Sequence, residues 1–201
     1  MENAGAQGIC GSGIIDAASQ LFITGIIDRT GRFRNDIPTH RLRVTENGTE
    51  FVIAWADETA IGQDIVICQE DVRNVQLAKA AMYAGAKVMM RCLGVDKLDK
   101  VILAGAFGSY INRESAATIG LFPDCALENL YAVGNAAGDG ARIALLNVDK
   151  RLEADKVARQ VEYIELTVEP DFEKHFVQAI YFPHMEDVFP HFRHILPENR
   201  K

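Results

Sequence analysis

The sequence predicts an α/β domain, a mainly parallel sheet flanked by helices. Three observations carry that expectation. Short apolar runs alternate with helical periodicities over about a hundred residues, which is how a parallel sheet with crossover helices reads. Two of those runs end in glycine-rich turns, Gly105-Ala106-Phe107-Gly108 and Gly134-Asn135-Ala136-Ala137-Gly138. Hydrophobic residues make up 48% of the 201 positions, enough to build a core. No linker or low-complexity segment divides the chain, so residues 1–201 are read as one unit with an irregular tail over 181–201.

Taken in order, the first element is a helix over 13–28. It follows the turn Gly11-Ser12-Gly13 and sets Ile14, Ala18, Leu21, Phe22 and Ile26 on one side. The polar run "DRTGRFRNDIP" is a loop. Two strands follow, "HRLRVT" and "FVIAW", joined at Glu46-Asn47-Gly48-Thr49, a hairpin signal. "DIVIC" is a third strand. A long amphipathic helix then runs from Glu70 to Leu93 and stops at Gly94. Its apolar stripe is Val72, Val75, Ala78, Met82, Ala86, Met89 and Leu93. Arg73, Gln76, Lys79, Tyr83, Lys87 and Arg91 form the opposite one. Next come a strand "VILA", a short helix over 112–119, a strand "YAV", and one helix from Ala136 into the 150s. A strand "VEYIELT" and a helix from Pro170 to Ile180 complete the series. The tail, rich in Pro, His and aromatics, packs or wraps irregularly.

Bulk charge narrows the function. A net charge of −7 argues against a general nucleic-acid or anionic-membrane binder. No run of 18 apolar residues occurs, and the N-terminus lacks a signal-peptide layout. Cys10, Cys68, Cys92 and Cys125 form no CxxC pair, which excludes a local zinc or iron–sulfur motif and suits a reducing cytoplasm. GxxxxGK[ST], a post-strand GxGxxG and GxSxG are all missing. His191 and His194 lack a third metal ligand nearby and read as part of the tail.

Glycine at the carboxyl end of a strand lets backbone N–H groups approach a phosphate or nucleoside without a Cβ in the way. A helix N-terminus behind the turn adds partial positive charge. On these grounds Gly11, Ser12, Gly13, Gly105, Ala106, Phe107, Gly108 and Asn135 are candidate ligand contacts. The stripe Arg73, Gln76, Lys79 is either a solvated helix face or the edge of a nucleotide pocket. Asp16, Asp64, Asp71 and Asp139 lie near these elements and could reach a metal directly or through water, although helix capping also accounts for Asp16 and Asp71. No catalytic base and no direct metal ligand is singled out.

Four blocks resemble, in order and spacing, successive parts of the reductive activators of corrinoid proteins. They are "GICGSGIIDAASQLFITGIIDRTGRF", "EDVRNVQLAKAAMYAGAKVMM", "VILAGAFGSYINRESAATIGLFPD" and "VGNAAGDGARIALL", within a similarity running from about Gly8 to His184. Those activators belong to the ASKHA superfamily of acetate and sugar kinases, heat-shock chaperones and actin. The resemblance implies a ribonuclease-H-like lobe that binds ATP with Mg²⁺ in a cleft between two lobes. It implies a parent protein with an upstream 2Fe–2S domain that drives Co(II) corrinoid to Co(I). The implied partner is a corrinoid protein or corrinoid-dependent methyltransferase, and the implied assembly a homodimer, with no nucleic acid and no membrane.

By that resemblance Gly105, Ala106, Phe107 and Gly108 match the adenosine motif, with Ala106 where relatives often carry a second glycine. Arg73, Gln76 and Lys79 fall on the helix flanking the adenine. Gly11, Ser12 and Gly13 border the phosphate side, and "GNAAGDGAR", containing Asn135, matches the second connecting helix at the hinge. The first phosphate turn, DxGT[ST], and the cluster cysteines are missing. The expectation is therefore a C-terminal lobe without its first lobe or iron–sulfur domain, with little or no ATPase activity alone. Two alternatives stand beside it: half of a small-molecule (acyl or sugar) kinase, and a non-enzymatic dimerisation or docking module.

Overall fold

The computed structural model describes residues 5–197. Helix α1 (Gly11–Ile23) starts two residues earlier than its periodicity suggests, because Cys10 caps it: the thiol accepts from the Gly13 N–H at 3.4 Å. It also stops sooner. The Thr24 hydroxyl donates to the Gln20 carbonyl at 2.7 Å, and Gly25 turns the chain at a φ of 81°. Ile26 and Ile27 are still buried, but from the loop that follows.

Strands β1 (Leu42–Thr45), β2 (Gly48–Ala54) and β3 (Ile65–Cys68) form an antiparallel sheet in that order. Thr45 sits opposite Gly48, so Glu46 and Asn47 make a two-residue turn, and Gly48 takes a φ of 113°. The β2–β3 connection is pinned by Asp64, whose carboxylate accepts from the Ala56 N–H at 2.8 Å and from Arg43 at 2.7 Å. Arg43 also donates to Glu50 on β2 at 2.7 Å.

Helix α2 (Gln69–Cys92) has 24 residues and is stapled at its start by Asp71, which accepts from the Cys68 N–H at 2.9 Å. Here the sequence misassigns the faces. Gln76, Lys79 and Tyr83 are buried together with Val72, Val75, Ala80, Ala84 and Val88. Met82, Met89 and Leu93 are exposed. The polar stripe can go inside because remote backbone carbonyls receive its donors, which removes most of the penalty for burying them.

Strands β4 (Val101–Leu103) and β5 (Leu130–Ala132) pair in parallel. Helices α3 (Ala106–Tyr110) and α4 (Arg113–Thr118) lie in the crossover between them. The α/β class therefore holds, but among the strands of the described residues β4 and β5 are the parallel pair, with one isolated parallel bridge between Ala6 and Thr59. β1, β2 and β3 follow one another without an intervening α-helix and so run antiparallel.

The helix expected from Ala136 into the 150s is two helices, α5 (Ala136–Leu146) and α6 (Val148–Ala158). They are divided at Asn147, which leaves helical geometry at φ −136°, ψ 114° and caps α6 through its side chain. "VEYIELT" is not a strand: it finds no sheet edge, Val161 and Tyr163 are exposed, and Leu166–Val168 is a single 3-10 turn. Helix α7 (Phe172–Ala179) packs along α2.

The core joins α1, α2, α4 and the tail. Phe182, His184, Phe189 and Phe192 from the tail are all buried, as the packing alternative for that segment required. Residues 198–201 of the expected tail lie outside the described residues. Gly120 shows how closely the tail seats: at a φ of 70°, a Cβ there would lie 2.1 Å from the Pro183 carbonyl oxygen.

Candidate functional site

Two of the glycine turns meet. Gly105 ends the segment after β4, and its N–H donates to the Gly134 carbonyl, just beyond β5, at 2.7 Å. Both turns thus lie at the carboxyl ends of the parallel strands, where ligands bind in open α/β sheets. Gly105 has a φ of 100° and Gly134 a φ of 67°, conformations that L side chains rarely adopt. A Cβ at Gly105 would meet nothing within 4 Å, so its outer face is open. Gly108 is different: an added Cβ would lie 3.0 Å from the Leu103 Cβ, so this glycine serves to seat α3 on β4.

The expected GAFG turn is thereby the N-terminus of a short helix. Ser109 closes it, its hydroxyl donating to the Gly105 carbonyl at 2.9 Å. Ala106 and Phe107 belong to the first turn of α3 by backbone, and their side chains lie outside the described set. Asn135 caps α5, its Oδ1 accepting from the Gly138 N–H at 3.0 Å.

Gly11, Ser12 and Gly13 form the first turn of α1, and α1 packs against α3 and α4. The N–H of Gly13 is taken by the Cys10 thiol, and the Ser12 hydroxyl lies 3.3 Å from the same sulfur. Hydrogen bonds from Ser12 and Gly13 hold that thiol below its ordinary range. One turn further along α1, Asp16 keeps Oδ1 buried with no hydrogen-bond partner among the described residues, and the same holds for the fully buried Ser19 hydroxyl. A buried carboxylate oxygen without a donor is costly, and a bound water or ion is one way to offset that cost.

Arg73, Gln76 and Lys79 part company. Arg73 is exposed on α2. Gln76 donates to the carbonyls of Thr30 at 3.0 Å and Ile180 at 2.8 Å. Lys79 places its Nζ 2.6 Å from the carbonyl oxygens of both Tyr181 and Pro183, with the Phe182 ring centroid 5.6 Å away. Burial drives the Lys79 amine well below the usual lysine range. One turn on, the Tyr83 hydroxyl donates to Asp187 at 2.6 Å, and Lys87 pairs with the same carboxylate at 3.0 Å. Burial, the largest influence, pushes Asp187 up, but the hydrogen bonds from Tyr83 and Lys87 together with the nearby positive charge leave the group below the ordinary carboxylate range. This face of α2 therefore grips the tail. No local sequence signal reveals it, since the acceptors are backbone carbonyls about a hundred positions away.

Among the described residues no group of three or more His, Cys, Asp or Glu side chains could hold a metal ion, and no helix is long and apolar enough to cross a membrane.

Comparison with known proteins fits this geometry. Residues 1–193 match the family model described as the C-terminal domain of RACo, the ASKHA domain. The corrinoid activation enzyme RamQ of Eubacterium limosum is 38% identical over 185 residues, covering 88% of this chain and 31% of that protein. A solved structure, the reductive activator for corrinoid, iron-sulfur protein, superposes with a TM-score of 0.84 at 40% identity, over 96% of this chain and 30% of the other. The chain thus spans about a third of the length of these relatives. With a family model covering nearly all of its length, the chain belongs to the family of RACo C-terminal ASKHA domains.

Proposed function

We propose that this chain is the nucleotide-binding C-terminal lobe of an ATP-dependent activator that returns corrinoid proteins from Co(II) to Co(I). The observation that carries the reading is the pair of glycine turns clasped at the ends of β4 and β5, in a chain similar to proteins named as corrinoid activators. The residues present fit ATP with Mg²⁺. Gly105 offers an open backbone face to the nucleoside, and the N-terminal end of α1, where the Cys10 thiol now takes the Gly13 N–H, would turn its partial positive charge toward a phosphate. Asp16 Oδ1 is a buried acceptor suited to a water on the metal. Bound ATP would supply the free energy of its hydrolysis.

The chain's own groups bind and orient. Arg73, the exposed member of its stripe, is the one assigned to the ligand, while Gln76 and Lys79 are committed to backbone carbonyls of the loop after α1 and of the tail. Asn135 fixes the start of α5, where Ala136, Ala137, Gly138, Gly140 and Ala141 are all exposed. A second lobe could approach that backbone closely and pivot on it. The upstream 2Fe–2S cluster, the corrinoid partner and a homodimeric assembly belong to the same proposal.

The test is calorimetric. A chimera of RamQ carrying this chain in place of its matched region is titrated with ATP, with and without Mg²⁺. Binding is expected, and Asp16→Asn is expected to weaken it by about tenfold only when Mg²⁺ is present, the scale of one hydrogen bond to a charged group. No saturable heat in the parent chimera would refute nucleotide binding, and an equal loss without Mg²⁺ would remove Asp16 from the metal.

A further inference from the structure

Asn112, Asn135 and Asn147 each hold Oδ1 on a backbone N–H that they cap, from Ser115, Gly138 and Lys150. Their successors, Arg113, Ala136 and Val148, all carry a Cβ that shields the following amide nitrogen. Asn47 differs on both counts. It is exposed at the β1–β2 turn, and its carboxamide makes no hydrogen bond among the described residues. Gly48 follows it, and no other asparagine in the chain precedes a glycine. Gly48 is itself exposed, and a Cβ there would meet nothing within 4 Å, so the space around this peptide unit is open.

Thr45 holds the backbone of the turn and leaves the Asn47 side chain free. Its Oγ1 accepts from the Asn47 N–H at 3.2 Å and donates to the Gly48 carbonyl at 3.0 Å. Thr45 and Gly48 are also the last rung of the β1–β2 ladder. End rungs open at the lowest cost in a folded chain. Opening this one frees the Gly48 amide nitrogen, which rotation about the Asn47 side-chain bonds brings within reach of Cγ.

We propose that Asn47-Gly48 is a site of spontaneous deamidation, passing through a cyclic imide to isoaspartate. A base takes the proton of the Gly48 N–H, and the nitrogen attacks Asn47 Cγ. The Cγ–Nδ2 bond breaks, and Nδ2 leaves as ammonia with a proton from water. Water then opens the five-membered ring at either carbonyl. One opening leaves aspartate; the other leaves isoaspartate, with the chain running through the side-chain carbon. Nothing is oxidised or reduced. Isoaspartate puts one extra atom into the backbone of a turn whose two residues set the β1–β2 register. The new charge falls beside Glu46, two rungs from Arg43, which ties β1 to Glu50 and to Asp64. The modification thus loosens the sheet that leads into α2, and it does not depend on the nucleotide reading.

The full chain is aged at pH 8 beside a synthetic peptide of residues 43–51. Both are mapped by mass spectrometry with fragmentation that separates isoaspartate from aspartate. The mass shift of an NH-for-O exchange is expected at Asn47 before any other asparagine, at a rate within about a hundredfold of the peptide's, the scale of opening an end rung. Asn47→Ser should remove it. The aged chain should lose hydrogen-exchange protection across β1 and β2. Asn47→Asp, which adds the charge without lengthening the backbone, should keep that protection. A faster shift at Asn112, Asn135 or Asn147, or an Asn47 rate below that range, would overturn the site. Full protection in chains that carry isoaspartate would overturn its effect on the sheet.

Discussion

Lys79 shows how one residue can be misread from sequence and still be essential. On a helical wheel it belongs to a solvated stripe, yet it is fully buried and donates to two tail carbonyls. Lys79→Met keeps most of the volume but orphans both acceptors, so a loss of about 2–3 kcal/mol is expected in urea unfolding. Lys79→Ala adds a cavity and should lose more. His184 makes stability depend on pH. Its folded pKa of about 4 lies below the unfolded value of 6.5, so between them the unfolded chain binds more protons. Stability should therefore fall as pH drops from about 6.5 towards 4, by up to roughly 3 kcal/mol for this group. Unfolding midpoints at pH 7 and pH 5 would show it, and His184→Asn should flatten the difference. Asp16 and Ser19 tell the other side of the residue scale: their unpartnered oxygens become visible only when the structure shows what surrounds α1.

At the scale of elements, local chemistry was the most legible. The Glu46-Asn47-Gly48-Thr49 stretch gives the hairpin, Gly94 follows the end of α2, and the Gly134-Asn135 turn after β5 leads into a helix at Ala136 as expected, whereas the turn expected after β4 opens α3. What failed needed knowledge of partners. The face that α2 buries was set by the tail, the long helix after Asn135 broke at Asn147, and "VEYIELT" found no strand to pair with. The α5 cap is open to a direct check. Asn135→Ala should cost about 1 kcal/mol, read as lower protection of the Gly138 and Asp139 amides in hydrogen exchange. Unchanged exchange would mean that the Asn135–Gly138 hydrogen bond contributes nothing to the helix start. Gly105→Ala, at a φ of 100°, should destabilise by about 1–2 kcal/mol through backbone strain although the space beside it is open.

At the scale of the molecule, one surface has no cover. Ile143, Leu145 and Leu146 on α5, with Val148 and Leu152 on α6, are about half exposed or more, and no residue of either helix is buried. Contiguous apolar surface of this kind marks an interaction face. In the proposed activator this is the face offered to another lobe. Sedimentation of the chain alone should show concentration-dependent association, relieved by Leu146→Glu with Leu152→Glu. Monomeric behaviour of the unaltered chain at all concentrations would argue against a sticky face.

The most direct measurement follows cobalt by absorbance under anaerobic conditions. The RamQ chimera carrying this chain is mixed with a reductant and a Co(II) corrinoid protein, with and without ATP. Co(I) formation should require ATP and be strongly reduced by Gly105→Val, because a branched side chain cannot hold the Gly105 backbone conformation without strain. Co(I) appearing equally without ATP, or not at all in a chimera that folds and binds ATP, would contradict it.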